Sequence, residues 1–304
     1  MEQFIQHSVT GVMTGSIYGL MALSLVMIFR STGIINFGQG EMATFTTFIA
    51  WSLLLTLPYA VAFLVVLAFA FALGATLERG LIRLVEQREP MAALIVGLGL
   101  FLFFNSVTQS IYGGTPKSVE QPFRGSPVDI AGITFSQHSA FMFLVAVALT
   151  VLLYALFQFT KLGLAMRATA LNRTAAELMG VPTGTLLMVG WGMAAAVGAA
   201  AGILVAPILS LTSSMMFFVL LFGFAGAVLG GLDSAPGAVI GGLLVGLTQN
   251  LVGVYLDDVV EFLHLPFAIE QSNQYRDVVA LGLIIVVLAV RPRGIFGRAG
   301  AQRV

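Results

Sequence analysis

AFMFLVAVALTVLLYALFQFTKLGLAMRATALNRTAAELMGVPTGTLLMVGWGMAAAVGAAAGILVA, residues Ala140–Ala206, decides the fold class. Two runs without a charged residue, 140–159 and 184–206, are each close to the about 20 apolar residues a helix needs to cross a bilayer core. Between them lies the polar loop Thr160–Pro182, which holds Lys161, Arg167 and Arg173. Ala, Leu and Met dominate its middle, so Ala165–Met179 is expected to form a short helix, closed by Gly180 and stopped by Pro182. Leu164, Ala168, Leu171, Ala175 and Leu178 recur at steps of three and four, giving an apolar stripe beside a basic face. Such a helix either lies in lipid headgroups or offers a soluble partner something to grip.

The composition extends the membrane reading to the whole chain. Hydrophobic residues make up 58% and charged residues 9% of the sequence, whereas soluble domains carry about 25% charged; mean hydropathy is +0.99. The formal charge of zero argues against nucleic acid as a partner. With no cysteine, disulfides, thiolate nucleophiles and cysteine-ligated metals are excluded. His7, His138 and His264 lie too far apart in sequence to suggest a ligand pair, so no metal or cofactor is expected. The opening MEQFIQHS lacks a basic n-region and reads as the start of a retained span. Apolar periodicity places spans near 8–29, 41–57, 59–80, 91–112, 140–159, 184–206, 214–231, 236–256 and 275–291. Pro207 and the polar residues after it interrupt the apolar region over 207–216, which protein or water must cover at membrane depth. The expected fold is an all-α polytopic transmembrane helical bundle of about eight to ten spans, with broken or re-entrant segments.

If the Thr160–Pro182 loop is cytoplasmic and the spans alternate, every basic residue falls on that side except Lys117, Arg124 and Arg276. This positive-inside asymmetry puts the C-terminus in the cytoplasm and the N-terminus outside. The two longest external loops, Gly113–Ser139 and Asp257–Gln274, are too short to be domains. Residues 1–304 therefore read as a single transmembrane domain. Gly15/Gly19, Gly198/Gly202, Gly226/Gly230, Gly237/Gly241 and Gly242/Gly246 have the spacing that lets helix backbones approach closely in lipid.

Three polar islands interrupt the apolar pattern. In RSTGIINFGQGEM (Arg30–Met42), glycines disfavour a continuous helix and Asn36, Gln39 and Glu41 lie between apolar segments. A carboxylate there is either a functional group on a solute path or a cap at a helix N-terminus. In GGLDSAPGAVIGG (Gly230–Gly242), Asp233 or Ser234 suits the N-cap of a helix with Pro236 in its first turn; the alternative is contact with a cytoplasmic partner. Arg291 and Arg293 in RPRGIFGR anchor the last span at anionic headgroups. GxxxxGK[ST], HExxH and GxSxG are all absent from the sequence, as is a chain of buried acids and bases. No catalytic residue is expected, and the protein has no visible energy source of its own.

YGLMALSLVMIFRSTGIINFGQGEM (Tyr18–Met42) resembles the opening of the membrane permeases of branched-chain amino acid ABC importers. TKLGLAMRATALNRTAAELMGVP is similar to their cytoplasmic coupling loop. FAGAVLGGLDSAPGAVIGGLLVGL (Phe224–Leu247) and YRDVVALGLIIVVLAVRPRGIFG (Tyr275–Gly297) resemble their closing segments. The likeness runs over most of the chain, in order, and looks more like the shorter permease of the pair. It implies a periplasmic solute-binding protein, a second permease and two cytosolic ATP-binding subunits, around a path for a small neutral solute in the inner membrane. It also implies docking at Arg167, Thr174, Ala175, Ala176 and Gly180, where the usual E-A-A-x-x-x-G signature has Thr174 in place of the acid. The Asn36, Gln39 and Glu41 island resembles a broken helix near the path. The rival reading is a passive homo-oligomeric channel for urea or amides, which needs no such loop.

Overall fold

The computed structural model describes residues 2–86, 90–123, 125–130, 132–262, 272–291 and 294–297. Its hub is α1 (Glu2–Thr32), buried from Gly15 to Ile28. Around it lie α6 (Gln137–Phe159), α9 (Thr183–Leu209), α10 (Met216–Gly230) and α11 (Ala235–Phe262). Glycine makes these contacts short. A Cβ on Gly15 would stand 2.8 Å from Leu243 Cα, and one on Gly246 would collide with the Gly15 backbone. Gly226 meets Gly242 and Gly230 meets Gly237 in the same manner. The expected glycine pairs other than Gly198/Gly202 sit at such approaches, where close backbones gain the dispersion contacts that lipid cannot drive hydrophobically; Gly198 and Gly202 instead make room for the Gln39 and Thr47 side chains.

The outer wall is formed by α3 (Tyr59–Leu77), α5 (Pro90–Tyr112) and α6, which expose Leu64, Leu98, Phe103, Leu144 and Leu152. Among the described residues, Glu2–Thr32, Tyr59–Val85, Leu94–Tyr112, Gln137–Phe159, Thr183–Leu209 and Ala235–Leu256 are long and apolar enough to cross a membrane. The molecule is a multi-pass helical membrane bundle. Every expected span falls on a helix, including α12 (Ser272–Val290), but α2 (Gln39–Leu54) and α10 are short. At 1.5 Å per residue they reach only about 24 and 22 Å, less than the hydrocarbon core.

Several boundaries differ from expectation for local reasons. α9 runs through Pro207 to Leu209, so the proline, which removes the bond to the Ile203 carbonyl, does not itself end the helix. The break comes at Ser210, with φ of 61°, and Leu211 then exchanges two 2.9 Å backbone hydrogen bonds with Lys117. The span expected to end at residue 80 continues through a π-helical turn, Glu78–Ile82, into α4 (Arg83–Glu86). The expected external loop starting at Asp257 is shorter, since α11 extends to Phe262; its remainder over 263–271, including Glu270, lies outside the described residues, as do Arg88, Arg124, Arg293, Arg298 and Arg303. The single helix expected over Ala165–Met179 is two: α7 (Lys161–Leu171) and α8 (Arg173–Leu178). Asn172 is extended between them (φ −157°, ψ 99°), and its side chain accepts the Ala175 N–H at 2.9 Å. Asn caps helix starts well enough to divide one helix into two.

An element of β-structure also interrupts the otherwise helical chain. β1 (Val128–Ile130) and β2 (Ile133–Phe135) form a hairpin in register Val128↔Phe135, turned at Gly132 with φ of 83°. Gln6 holds Thr134 through both backbone groups, so the start of α1 lies at the hairpin. Its far end, at Arg30 and Ser31, lies beside Phe157 and Arg167. α1 and α6 thus run in the same direction, with the hairpin at one end of the bundle and α7–α8 at the other. Residues 295–296 bond to the last carbonyls of α10, next to the turn that holds Asp233, and so lie at the α7–α8 end.

Candidate functional site

Beyond Thr32 the chain turns back into the bundle, helped by Gly33, whose φ of 72° suits a residue without Cβ. Asn36 is buried there. Its Oδ1 accepts the Gly38 N–H at 3.0 Å and its amide reaches Gln39 Oε1 at 3.4 Å. Gln39 Nε2 donates to Ser24 Oγ at 2.6 Å and to Ala194 O at 2.9 Å, and Ser24 donates to the same carbonyl at 2.9 Å. Ser24 precedes Arg30 by six residues, which places this network about 9 Å deeper along α1 than Arg30. Helix α2 therefore begins within the bundle. Gly198 makes room, since a Cβ there would stand 2.6 Å from Gln39 Nε2.

Glu41 faces elsewhere. Its Oε2 accepts from Asn105 Nδ2 at 3.3 Å, and Asn105 also donates to Ser213 O at 3.2 Å. Glu41 Oε1 is buried with no hydrogen-bond partner. Glu41 lies in the first turn of α2, but the N-cap residue is Gly38 and no side chain caps the helix. The structure thus joins Asn36 to Gln39 and sets Glu41 apart with Asn105, in the first turn of α2, where a carboxylate suits the helix N-terminus.

An apolar cavity of about 70 Å³ adjoins this break, lined by Leu25, Ile35, Phe37, Phe217, Leu220 and Phe224. Its far wall is the start of α10, where Met216 O and Leu220 close on Gly40. Two short helices that start inside the bundle therefore flank amide groups on one side and aromatic rings on the other. The cavity itself is lined only by apolar side chains, while the Asn36 and Gln39 amides beside it are buried and bonded to Gly38, Ser24 and Ala194.

At the end of the bundle where α1 finishes, Thr160 caps α7 by accepting the Gly163 N–H at 3.1 Å. Arg167 Nη1 donates to Phe157 O at 2.7 Å and Gln158 Oε1 at 2.9 Å, tying α7 to the end of α6. Thr183 donates to Glu177 Oε1 at 2.6 Å, tying α8 to α9. The Thr183 hydroxyl, followed by Arg173, holds the Glu177 carboxyl below its ordinary pKa. Gly163, Thr169 and Ala176 face the bundle, while Thr174, Ala175 and the apolar stripe face away; Leu171 and Leu178 are 88% and 84% exposed. Gly180 ends α8 with φ of 78°, as expected, and has nothing within 4 Å of where a Cβ would be. In the second turn, Ser234 Oγ accepts the Gly237 N–H at 3.1 Å, so Ser234 and not Asp233 caps α11.

Two polar constellations escaped the sequence reading. Glu78, fully buried, pairs with Arg83 at 2.9 Å, and Arg83 donates to Gly184 O at 2.6 Å, linking the end of α3 to the start of α9. The five-residue spacing is the signal: it fits a π turn, not the three- or four-residue steps of an α-helix. The other is a relay in which Tyr18 donates to Gln249 at 2.7 Å and Gln249 to Asp277 at 2.7 Å, joining α1, α11 and α12. No local spacing announces it.

A helical membrane bundle with a polar break inside it and a tethered amphipathic loop at one end defines a membrane transport protein. The family model for the permease component of branched-chain amino acid transport systems matches residues 8–288. The high-affinity branched-chain amino acid transport system permease protein LivH of Salmonella typhimurium is 29% identical, covering 99% of this chain and 98% of that one. The corresponding protein BraD of Pseudomonas aeruginosa is 28% identical with the same coverage. A probable branched-chain amino acid transport permease protein LivH of Methanocaldococcus jannaschii is 28% identical over 91% of this chain and 88% of its own. The chain belongs to this permease family: it is a transport subunit of a multi-component system, not an enzyme.

Proposed function

We propose that residues 1–304 act as one transmembrane permease domain of a binding-protein-dependent ABC importer in the bacterial inner membrane. Its solutes are branched-chain or related neutral amino acids. A periplasmic binding protein delivers the solute, a second permease completes the path, and two cytosolic ATP-binding subunits dock at α7–α8. The observation that carries this reading is the outward-facing stripe of Leu164, Leu171, Leu178 and Met179 on helices tethered at both ends. A free amphipathic helix would turn that stripe into the lipid or the bundle. Here it is held away from the protein, as a docking surface must be. Family membership sets aside the passive facilitator.

The polar break of Asn36 and Gln39, with the aromatic cavity beside it, is the proposed solute path; Glu41 and Asn105 form its outer flank. The bundle crosses the membrane with α7–α8 and residues 294–297 on the cytoplasmic side and the hairpin outside, so α2 and α10 count as broken spans. Ala175 is exposed and helical, whereas Gly180 is in the left-handed region, where any side chain is strained. Ala175→Arg is therefore the cleaner test. Reconstituted with its partner subunits, this variant should hydrolyse ATP without accumulating solute. Normal uptake would rule out docking at this surface.

A further inference from the structure

We propose a second binding site: a groove between α1, α6 and the α10–α11 turn that holds the headgroup of an anionic glycerophospholipid. It comprises a cavity of about 280 Å³ and a narrower apolar recess of about 30 Å³ that shares Arg30, Phe157, Arg167 and Ala235 with it.

The lining is graded along the membrane normal. On α1 it runs from Arg30 to Leu23, about 10 Å deeper; on α6 it runs from Gln158 to Thr150, about 12 Å deeper. Arg30, Arg167, Gln158 and Phe157 form the end nearest the coupling loop, while Leu23, Leu153 and Thr150, whose hydroxyl is spent on Ala146 O, form the walls below. Tyr154 stands at the rim, half exposed, at the level where tyrosine marks the membrane interface. Charge at one end and hydrocarbon at the other, over such a depth, match one phosphate and the first methylenes of an acyl chain. A soluble anion would leave the lower half of the groove unfilled.

The cation pair sets the headgroup charge. Arg167 uses Nη1 for both of its bonds to α6, and a guanidinium presents five N–H donors, so its fork retains donors for a phosphate. Asp233 is on the opposite wall. With two arginines it leaves one net positive charge, which a single phosphodiester balances, and it can accept a hydroxyl from a glycerol headgroup. A choline headgroup would add a second cation to the site. Basic recesses between spans at the cytoplasmic face are the usual seats of anionic headgroups. The proposal rests on the membrane orientation proposed above, with α7–α8 at the cytoplasmic face, and stands or falls apart from the identity of the solute.

The test uses the complete transporter in nanodiscs containing phosphatidylglycerol with a photoreactive group near the top of one acyl chain. Label should map to 23–30 and 150–158. It should fall about tenfold in Arg30→Gln/Arg167→Gln, which removes the charge-assisted bonds. Leu153→Trp, which fills the groove but keeps both arginines, should lose label equally, with an unchanged gel-filtration profile as the control for folding. Phosphatidylcholine with the same photoreactive chain should label weakly. Unchanged labelling in both variants, or equal labelling by phosphatidylcholine, overturns the proposal. Displacement of the label by millimolar inorganic phosphate overturns it too, as that identifies a soluble-anion site.

Discussion

At the residue scale, the pair of fully buried Glu78 with Arg83, whose side chain is 34% exposed, makes the sharpest prediction. Removing one partner of a buried ion pair strands the other and costs about 3–5 kcal/mol. Arg83→Ala should therefore lower thermal stability in detergent markedly, and Glu78→Leu/Arg83→Met should recover most of the loss. If the single and double variants melted alike, the pair would not be holding α3 to α9. Glu177 gives a pH dependence. Its folded-state pKa is depressed, chiefly by Thr183, so its contribution to the α8–α9 joint is complete above the unfolded-state value. It is lost only as pH falls through the lower folded-state value. Hydrogen-exchange protection of 173–183 should persist further into acid in the native chain than in Thr183→Ala; identical profiles would deny the bond its role. How these contacts were missed is physical. Asn36, Gln39 and Glu41 stood out in the sequence as polar residues among apolar ones, but Glu41 meets Asn105 and Gln39 meets Ala194 O, partners 64 and 155 positions away. Composition locates such groups; only the packing of helices selects their partners.

At the scale of elements, the legible features were those written in periodicity and in glycine spacing. The apolar runs became helices and the glycine pairs became helix contacts because each rule acts within one or two turns. What misled was the weighing of local signals against each other. Pro207, expected to interrupt its apolar run, lies inside α9, whereas Asn172 divides what was expected as one helix. Two predictions separate these effects. Gly246→Ala would drive a Cβ into the Gly15 backbone, and overpacking of this kind costs about 1–3 kcal/mol. Gly99→Ala, in open space on the outer wall, should instead be neutral or gain up to about 1 kcal/mol of helix propensity. Equal melting temperatures for the two would mean that α1 and α11 do not meet as described. Asn172→Ala removes the cap of α8 at a cost of about 1 kcal/mol. Exchange data should then show α7 and α8 merging into one continuous helix.

For the whole molecule, the arrangement of polar ends matters most. Arg167 to Gln158, Arg83 to Gly184 and Ile295 to Leu229 gather α3, α6, α9 and α10 at one end of the bundle, while Gln6 and Lys117 fasten the other. α9 runs between these ends: Thr183 holds the coupling loop, and Ala194 O receives both Ser24 and Gln39 at the break in α2. A displacement imposed on α8 would therefore reach the proposed path through one stiff helix, without any need for the outer wall to move. The sides themselves can be read directly because the native chain has no cysteine. Leu171→Cys and Asp129→Cys each introduce a single exposed thiol, at the coupling loop and on the first strand of the hairpin. An impermeant maleimide added to intact spheroplasts should label Asp129→Cys alone, and added to inverted vesicles Leu171→Cys alone. Labelling of both from one side would place the hairpin and the coupling loop on the same face. That would contradict the parallel course of α1 and α6 and the docking of cytosolic subunits at α7–α8.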